Sequence, residues 1–159
     1  MNGNRTPEES NLFVCDVTQA RIVREIVPMP KAATTGMVGD VAPDRLLGLT
    51  LDPERPEASI LYGVDITTGD VLFRKTLPWP VSENRWYRRW DEDPDFARGL
   101  DGFVWTFLKD ALVRIDPKDA SVQVVGRIDV PGRPTFVGND IYLAGTEHLR
   151  RIRSIAPAP

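Results

Sequence analysis

Between Pro78 and Asp95 the chain gathers Trp79, Trp86, Tyr87 and Trp90 with Arg85, Arg88 and Arg89, then runs into Asp91, Glu92, Asp93 and Asp95. Three of the four tryptophans fall in this stretch, so it is the first place to look for binding. Aromatic faces beside guanidinium groups suit stacking on a sugar, pairing with an anionic sugar, or anchoring a partner protein. Trp86, Tyr87, Arg88, Arg89 and Trp90 are therefore candidate ligand-binding residues, together with Arg133. A competing assignment is that these aromatics pack the loop onto its own base, since a long loop needs a small core.

Carboxylates offer a second chemistry. Asp40 and Asp101 are candidate metal ligands, because acidic oxygens suit a hard divalent cation. Asp16, Asp65 and Asp116 recur at one place in a repeated segment. Their carboxylates there can accept backbone N–H bonds, so they read as turn residues. His148, the one histidine, stands beside Glu147 and cannot build a multi-histidine metal site. As a general base it would need a positioned substrate, and its place in a short connection fits a surface residue. No catalytic residue is assigned: no glycine-rich phosphate loop leads into a helix, and no nucleophile elbow is present.

Composition narrows the classes. The chain has 159 residues, 42% hydrophobic and 27% charged, as in an ordinary globular domain with a sizeable core. A net charge of −3 gives no global basic field, so nucleic acid is not an expected partner. No apolar run approaches the ~20 residues of a membrane helix, so a membrane partner is not expected either. The polar start, Met1 to Ser10, lacks the apolar stretch of a signal peptide. If Met1 is the native start, a cytoplasmic location is expected. One cysteine excludes an internal disulfide. Cys15 shares its repeat position with Val64, Ile115 and Ile152, which predicts a buried, inert thiol.

The elements that must position these residues come from the repeat. It reads Leu12-Phe13-Val14-Cys15-Asp16, then Leu61-Tyr62-Gly63-Val64-Asp65, then Leu112-Val113-Arg114-Ile115-Asp116. A degraded copy follows, Leu149-Arg150-Arg151-Ile152-Arg153. Short β-branched runs broken by turn chemistry, with 14 prolines and 12 glycines, predict an all-β chain of short strands. Each full copy reads as a strand, a tight turn and a second strand, with Gly69 supplying the positive φ of its turn. Two further strands precede each later copy: Gly36 to Val41 and Arg45 to Leu51, Phe96 to Leu100 and Gly102 to Leu108, Thr135 to Gly138 and Asp140 to Ala144. The expected grouping is two, four, four and three strands. It spans 11–155, with an insertion at 79–95, between a polar tail at 1–10 and a short tail at 156–159.

Here a resemblance appears. Leu61 through Leu72 resembles the outer strands of a blade in PQQ-like and YVTN-type β-propellers. Val104-Trp105 through Asp116-Pro117 is similar to blades of the NHL, SMP-30/gluconolactonase and virginiamycin B lyase propellers. The resemblance covers Leu12 to Ile155 and implies about three consecutive four-stranded antiparallel blades. Propellers usually close with four to eight blades. The chain is therefore expected to be part of a longer propeller, an open arc, or one half of a homodimer whose copies complete each other's split blade in a six-bladed ring.

The expected function is a non-catalytic recognition or scaffold module of β-propeller type, binding a protein or carbohydrate partner through the 79–95 insertion. The alternative implied by the resemblance is a lactonase or lyase, active only in a completed ring. A divalent metal held by residues such as Asp40 and Asp101 belongs to that reading alone.

Overall fold

In the computed structural model, residues 12–32, 34–42, 44–79, 96–108, 111–127, 133–144 and 149–153 are described; for 34–40, 42, 133 and 144 the description covers the backbone alone. Every regular element among these residues is a strand. Among the described residues, thirteen strands form four antiparallel sheets of two, four, four and three strands, following one another along the chain. The grouping read from the repeat is therefore met in the sheets. The chain divides into two compact units, Met1–Pro78 and Trp79–Pro159.

In the first unit, β1 (Leu12–Asp16) and β2 (Arg21–Ile26) make a hairpin sheet. A meander follows, of β3 (Thr34–Ala42), β4 (Arg45–Leu51), β5 (Ser59–Asp65) and β6 (Val71–Leu77), paired in that order. The sheets meet through a core of Ile26, Tyr62 and Val64, flanked by Leu12, Val14, Leu46 and Val71. Two arginines fasten the same junction. Arg24 of β2 donates to the Thr68 carbonyl in the β5–β6 turn, and Arg74 of β6 donates through Nε to the Pro28 carbonyl at 2.6 Å.

The second unit repeats the plan. β7 (Ala97–Arg98), β8 (Val104–Leu108), β9 (Ala111–Ile115) and β10 (Val122–Arg127) form one sheet. β11 (Arg133–Val137), β12 (Asp140–Ala144) and β13 (Leu149–Ile152) form the next. Trp105, Phe107, Leu112, Ile141 and Leu143 bury themselves between them, with Phe103, Phe136 and Ile152 packed alongside. Withdrawing each such large side chain from water contributes about 1.5–3 kcal/mol.

The repeated aspartates close their hairpins in one way. Oδ1 of Asp16 accepts the N–H groups of Thr18 and Gln19 at 2.9 and 3.0 Å. Asp65 Oδ1 accepts those of Thr67 and Thr68 at 2.8 and 2.9 Å, and Asp116 Oδ1 that of Lys118 at 2.8 Å. Four residues after each aspartate the backbone turns left-handed: φ is 51° at Ala20, 87° at Gly69 and 59° at Ala120. Only the second copy meets that demand with glycine, so the two alanines carry a cost of about 1–2 kcal/mol each.

A directional rule emerges from strand alternation. The first and third residues of the repeat face the sheet that follows: Leu12 and Val14 pack against β4–β6, and Leu112 packs against β12. The second and fourth face the sheet that precedes: Tyr62 and Val64 pack on the β1–β2 sheet, and Ile152 packs on β8–β9. Cys15 is a fourth-position residue, which is why its neighbours in the repeat are apolar. Contrary to the buried thiol expected from that alignment, Cys15 is exposed. Val64, at the same repeat position, is buried against the β1–β2 sheet.

Candidate functional site

Among the described residues the densest joining of charge and aromatic surface lies at the β7–β8 turn and includes one residue singled out above, Asp101. Gly99 and Phe103 close this turn, the Gly99 N–H donating to the Phe103 carbonyl at 2.8 Å. Asp101 Oδ1 accepts the Phe103 N–H at 3.1 Å and the Trp105 indole N–H at 3.3 Å. A Cβ on Gly99 would stand 2.3 Å from Asp101 Oδ1 and 2.7 Å from Trp105 Nε1, so only glycine lets the turn fold onto them.

Arg114 of β9 completes the cluster. Its guanidinium carbon lies 4.3 Å from the Phe103 ring centre and 5.8 Å from that of Trp105. Nη2 donates to Gln123 Oε1 at 2.7 Å, while Nη1 stands 3.9 Å from Asp101 Oδ2. That separation is an ion pair rather than a hydrogen bond. Asp101 Oδ2 and Arg114 Nε are both buried without a hydrogen-bond partner. The Asp101 side chain is 7% exposed and stands beside the Arg114 guanidinium, a group that competes with a cation for the same oxygen. Trp105 in turn meets Phe136 edge to face, with ring centres 5.9 Å apart. The cluster orients an indole and locks a turn.

The other sequence-derived candidates are dispersed or lie elsewhere. Trp86, Tyr87, Arg88, Arg89 and Trp90 fall outside the described residues, as does His148. Asp40 belongs to β3 and Arg133 opens β11, and for both the side chain lies outside the description. Asp101 sits in the turn between β7 and β8 and does not open a strand. Asp40 and Asp101 belong to different units. Among the described residues, no group of three or more His, Cys, Asp or Glu side chains is placed to share a metal ion.

Sequence reasoning passed over Asp52, which anchors the short insertion before β5. Its Oδ1 accepts the N–H groups of Glu54 and Arg55 at 3.0 and 3.2 Å, and its Oδ2 accepts Arg55 Nε at 3.1 Å. Arg55 Nη2 continues to Thr76 Oγ1 at 3.0 Å, tying the loop to β6. Burial acts to raise the Asp52 pKa, but the two backbone N–H groups and the Arg55 guanidinium together hold it below the usual carboxylate value. Asp65 is held down as well, first by the Thr68 N–H and against partial desolvation, with the Thr67 N–H, the Thr68 hydroxyl and Arg24 adding to the effect. The signal for Asp52 was present in Asp52-Pro53, a turn-opening dipeptide.

No protein-family model matches the chain, and no curated protein matches it.

Proposed function

We propose that the chain is a block of β-propeller-type blades acting as a non-catalytic recognition or scaffold module, and that the loop of 79–95 carries its contact surface for a protein or carbohydrate partner. The single observation that carries the reading is the directional rule: two sheet junctions, one in each unit, use the same repeat positions, the manner in which blades would stack. Four of the described carboxylates add support, because Asp16, Asp65, Asp116 and Asp52 accept local backbone N–H groups. Asp101 is likewise engaged by Trp105 and Arg114. A scaffold that uses acids to fix turns leaves recognition to its longer loops.

The test is binding of neutral and acidic oligosaccharides by the intact chain and by the Trp86→Ala, Trp90→Ala double variant, followed by glycan array and calorimetry. Loss of a measured interaction in the variant, with an unchanged circular dichroism spectrum, supports the assignment. Binding that survives the double substitution removes the loop from it.

A further inference from the structure

We propose that Asp101–Gly102 is a covalent modification site, where aspartate isomerises to isoaspartate when the β7–β8 turn opens. The cluster of Asp101, Trp105 and Arg114 holds that chemistry in check while the turn is closed. The site is independent of whatever the 79–95 loop binds.

The reaction needs a side-chain carboxyl group and, next in the chain, an amide nitrogen with little bulk around it. Asp101–Gly102 is the one Asp–Gly pair in the sequence. Gly102 has no Cβ to crowd its nitrogen, and nothing lies within 4 Å of the place a Cβ would take. The Gly102 nitrogen loses its proton and bonds to Asp101 Cγ, while one carboxyl oxygen leaves as water. A five-membered succinimide results. Water then adds back at one of the two ring carbonyls. Opening at the former α-carbonyl leaves the chain running through the side-chain carboxyl carbon, with no net change in mass.

The closed turn opposes each step. The Gly102 N–H donates to the Gly99 carbonyl at 3.1 Å, which holds the proton that must leave. Asp101 Oδ1 is tied to the Phe103 N–H and the Trp105 indole N–H, both beyond Gly102 in the chain. With its side chain 7% exposed, the carboxyl is also screened from the water that the reaction releases and takes up.

The restraint is local, and so is its weak point. β7 is two residues long and lies at the edge of its sheet among the described strands. It meets β8 in two register pairs, Ala97–Trp105 and Arg98–Val104. So short an edge element opens more readily than the core strands, and its opening frees Gly102 and Asp101 together. The product cannot rebuild the cluster. Its backbone is one carbon longer and its carboxylate sits on Cα, so the Trp105 indole loses its acceptor and Arg114 its countercharge. Each converted molecule therefore stays converted in structure as well as in covalent form.

Isoaspartate is followed by peptide mapping with electron-transfer fragmentation, which separates Asp101 from any reaction at Asn2–Gly3. The folded chain, the chain unfolded in urea, Gly99→Ala and Trp105→Phe are aged side by side at neutral pH. A Cβ on Gly99 stands 2.3 Å from Asp101 Oδ1 and displaces it, whereas Trp105→Phe removes the indole N–H. Each variant should raise the rate at Asp101 on the order of fivefold over the folded chain, and urea should raise it further. Val113→Ala loosens a buried residue of β9 outside the Trp105 cluster and should leave the rate near that of the parent. Isomerised protein returned to native buffer should keep an altered near-ultraviolet circular dichroism from Trp105. No isoaspartate at Asp101 in urea overturns the proposal, as does a folded chain that reacts as fast as the unfolded one. Parent rates in both Gly99→Ala and Trp105→Phe overturn it too. Acceleration in Val113→Ala as large as in Gly99→Ala assigns the reaction to global unfolding and overturns the role of the turn.

Discussion

Tyr62 lies across Gly48: the two are direct partners on neighbouring strands, and a Cβ added to Gly48 would stand 2.1 Å from the Tyr62 Cζ. The ring is fully buried and forms part of the junction with the first sheet, so it has no free space into which to retreat. Gly48→Ala should therefore destabilise the first unit by about 1–3 kcal/mol, read as a lower urea midpoint. Gly126→Ala is the matched control, since nothing lies within 4 Å of its added carbon. It should stay within about 0.5 kcal/mol of the parent.

The left-handed position after each repeated aspartate makes a paired prediction. Gly69→Ala forces a side chain to φ 87° and brings it 2.8 Å from Arg24 Cδ, and should cost about 1–2 kcal/mol. Ala20→Gly, exposed and at φ 51°, should raise the thermal midpoint or leave it unchanged, because the relief of left-handed strain offsets glycine's greater unfolded entropy. A loss of stability in Ala20→Gly would contradict the strain argument.

Asp52 and Asp65 both titrate below their ordinary value in the folded chain. The unfolded state therefore binds more protons than the folded one as they titrate, and stability rises with pH there. Their contribution is fully present above an unfolded carboxylate pKa of about 3.9 and is lost as pH falls through the lower folded values. Urea midpoints should accordingly drop between pH 5 and pH 2. Asp65→Asn, which keeps an oxygen for Thr67 and Thr68 but no charge, should flatten part of that drop. Asp65→Ala should lose stability at pH 7 as well.

Asp101→Ala removes the acceptor of the Trp105 indole and leaves Arg114 without its countercharge on a largely buried surface. The expected cost is about 2–3 kcal/mol, with altered near-ultraviolet circular dichroism from a reoriented Trp105. Asp101→Asn keeps the indole bond and should fall between the parent and Asp101→Ala. If the two variants behave alike, the charge on Asp101 matters more than its bond to Trp105.

The strands were legible in the sequence because their signals are local. Apolar alternation, β-branched residues and turn chemistry marked both members of each hairpin, and the aspartate at the strand end announced its own backbone bonds. The repeat placed the turns that contain Ala20 and Ala120, but their left-handed backbone was not legible, since neither residue type advertises a positive φ. Asp101 could be singled out as an acid, but its partners Trp105 and Arg114 come from β8 and β9. Their meeting depends on strand register, which a list of residues does not contain.

The sequence by itself determined an all-β chain, its strand order and the chemistry of its turns, since each follows from neighbours a few residues apart. Only the tertiary structure decided which side of each strand is buried, because burial depends on whether another sheet lies against that side. Val64 and Cys15 show the difference. They hold the same place in the same repeat, yet Val64 is sealed against a preceding sheet and Cys15 is open to solvent.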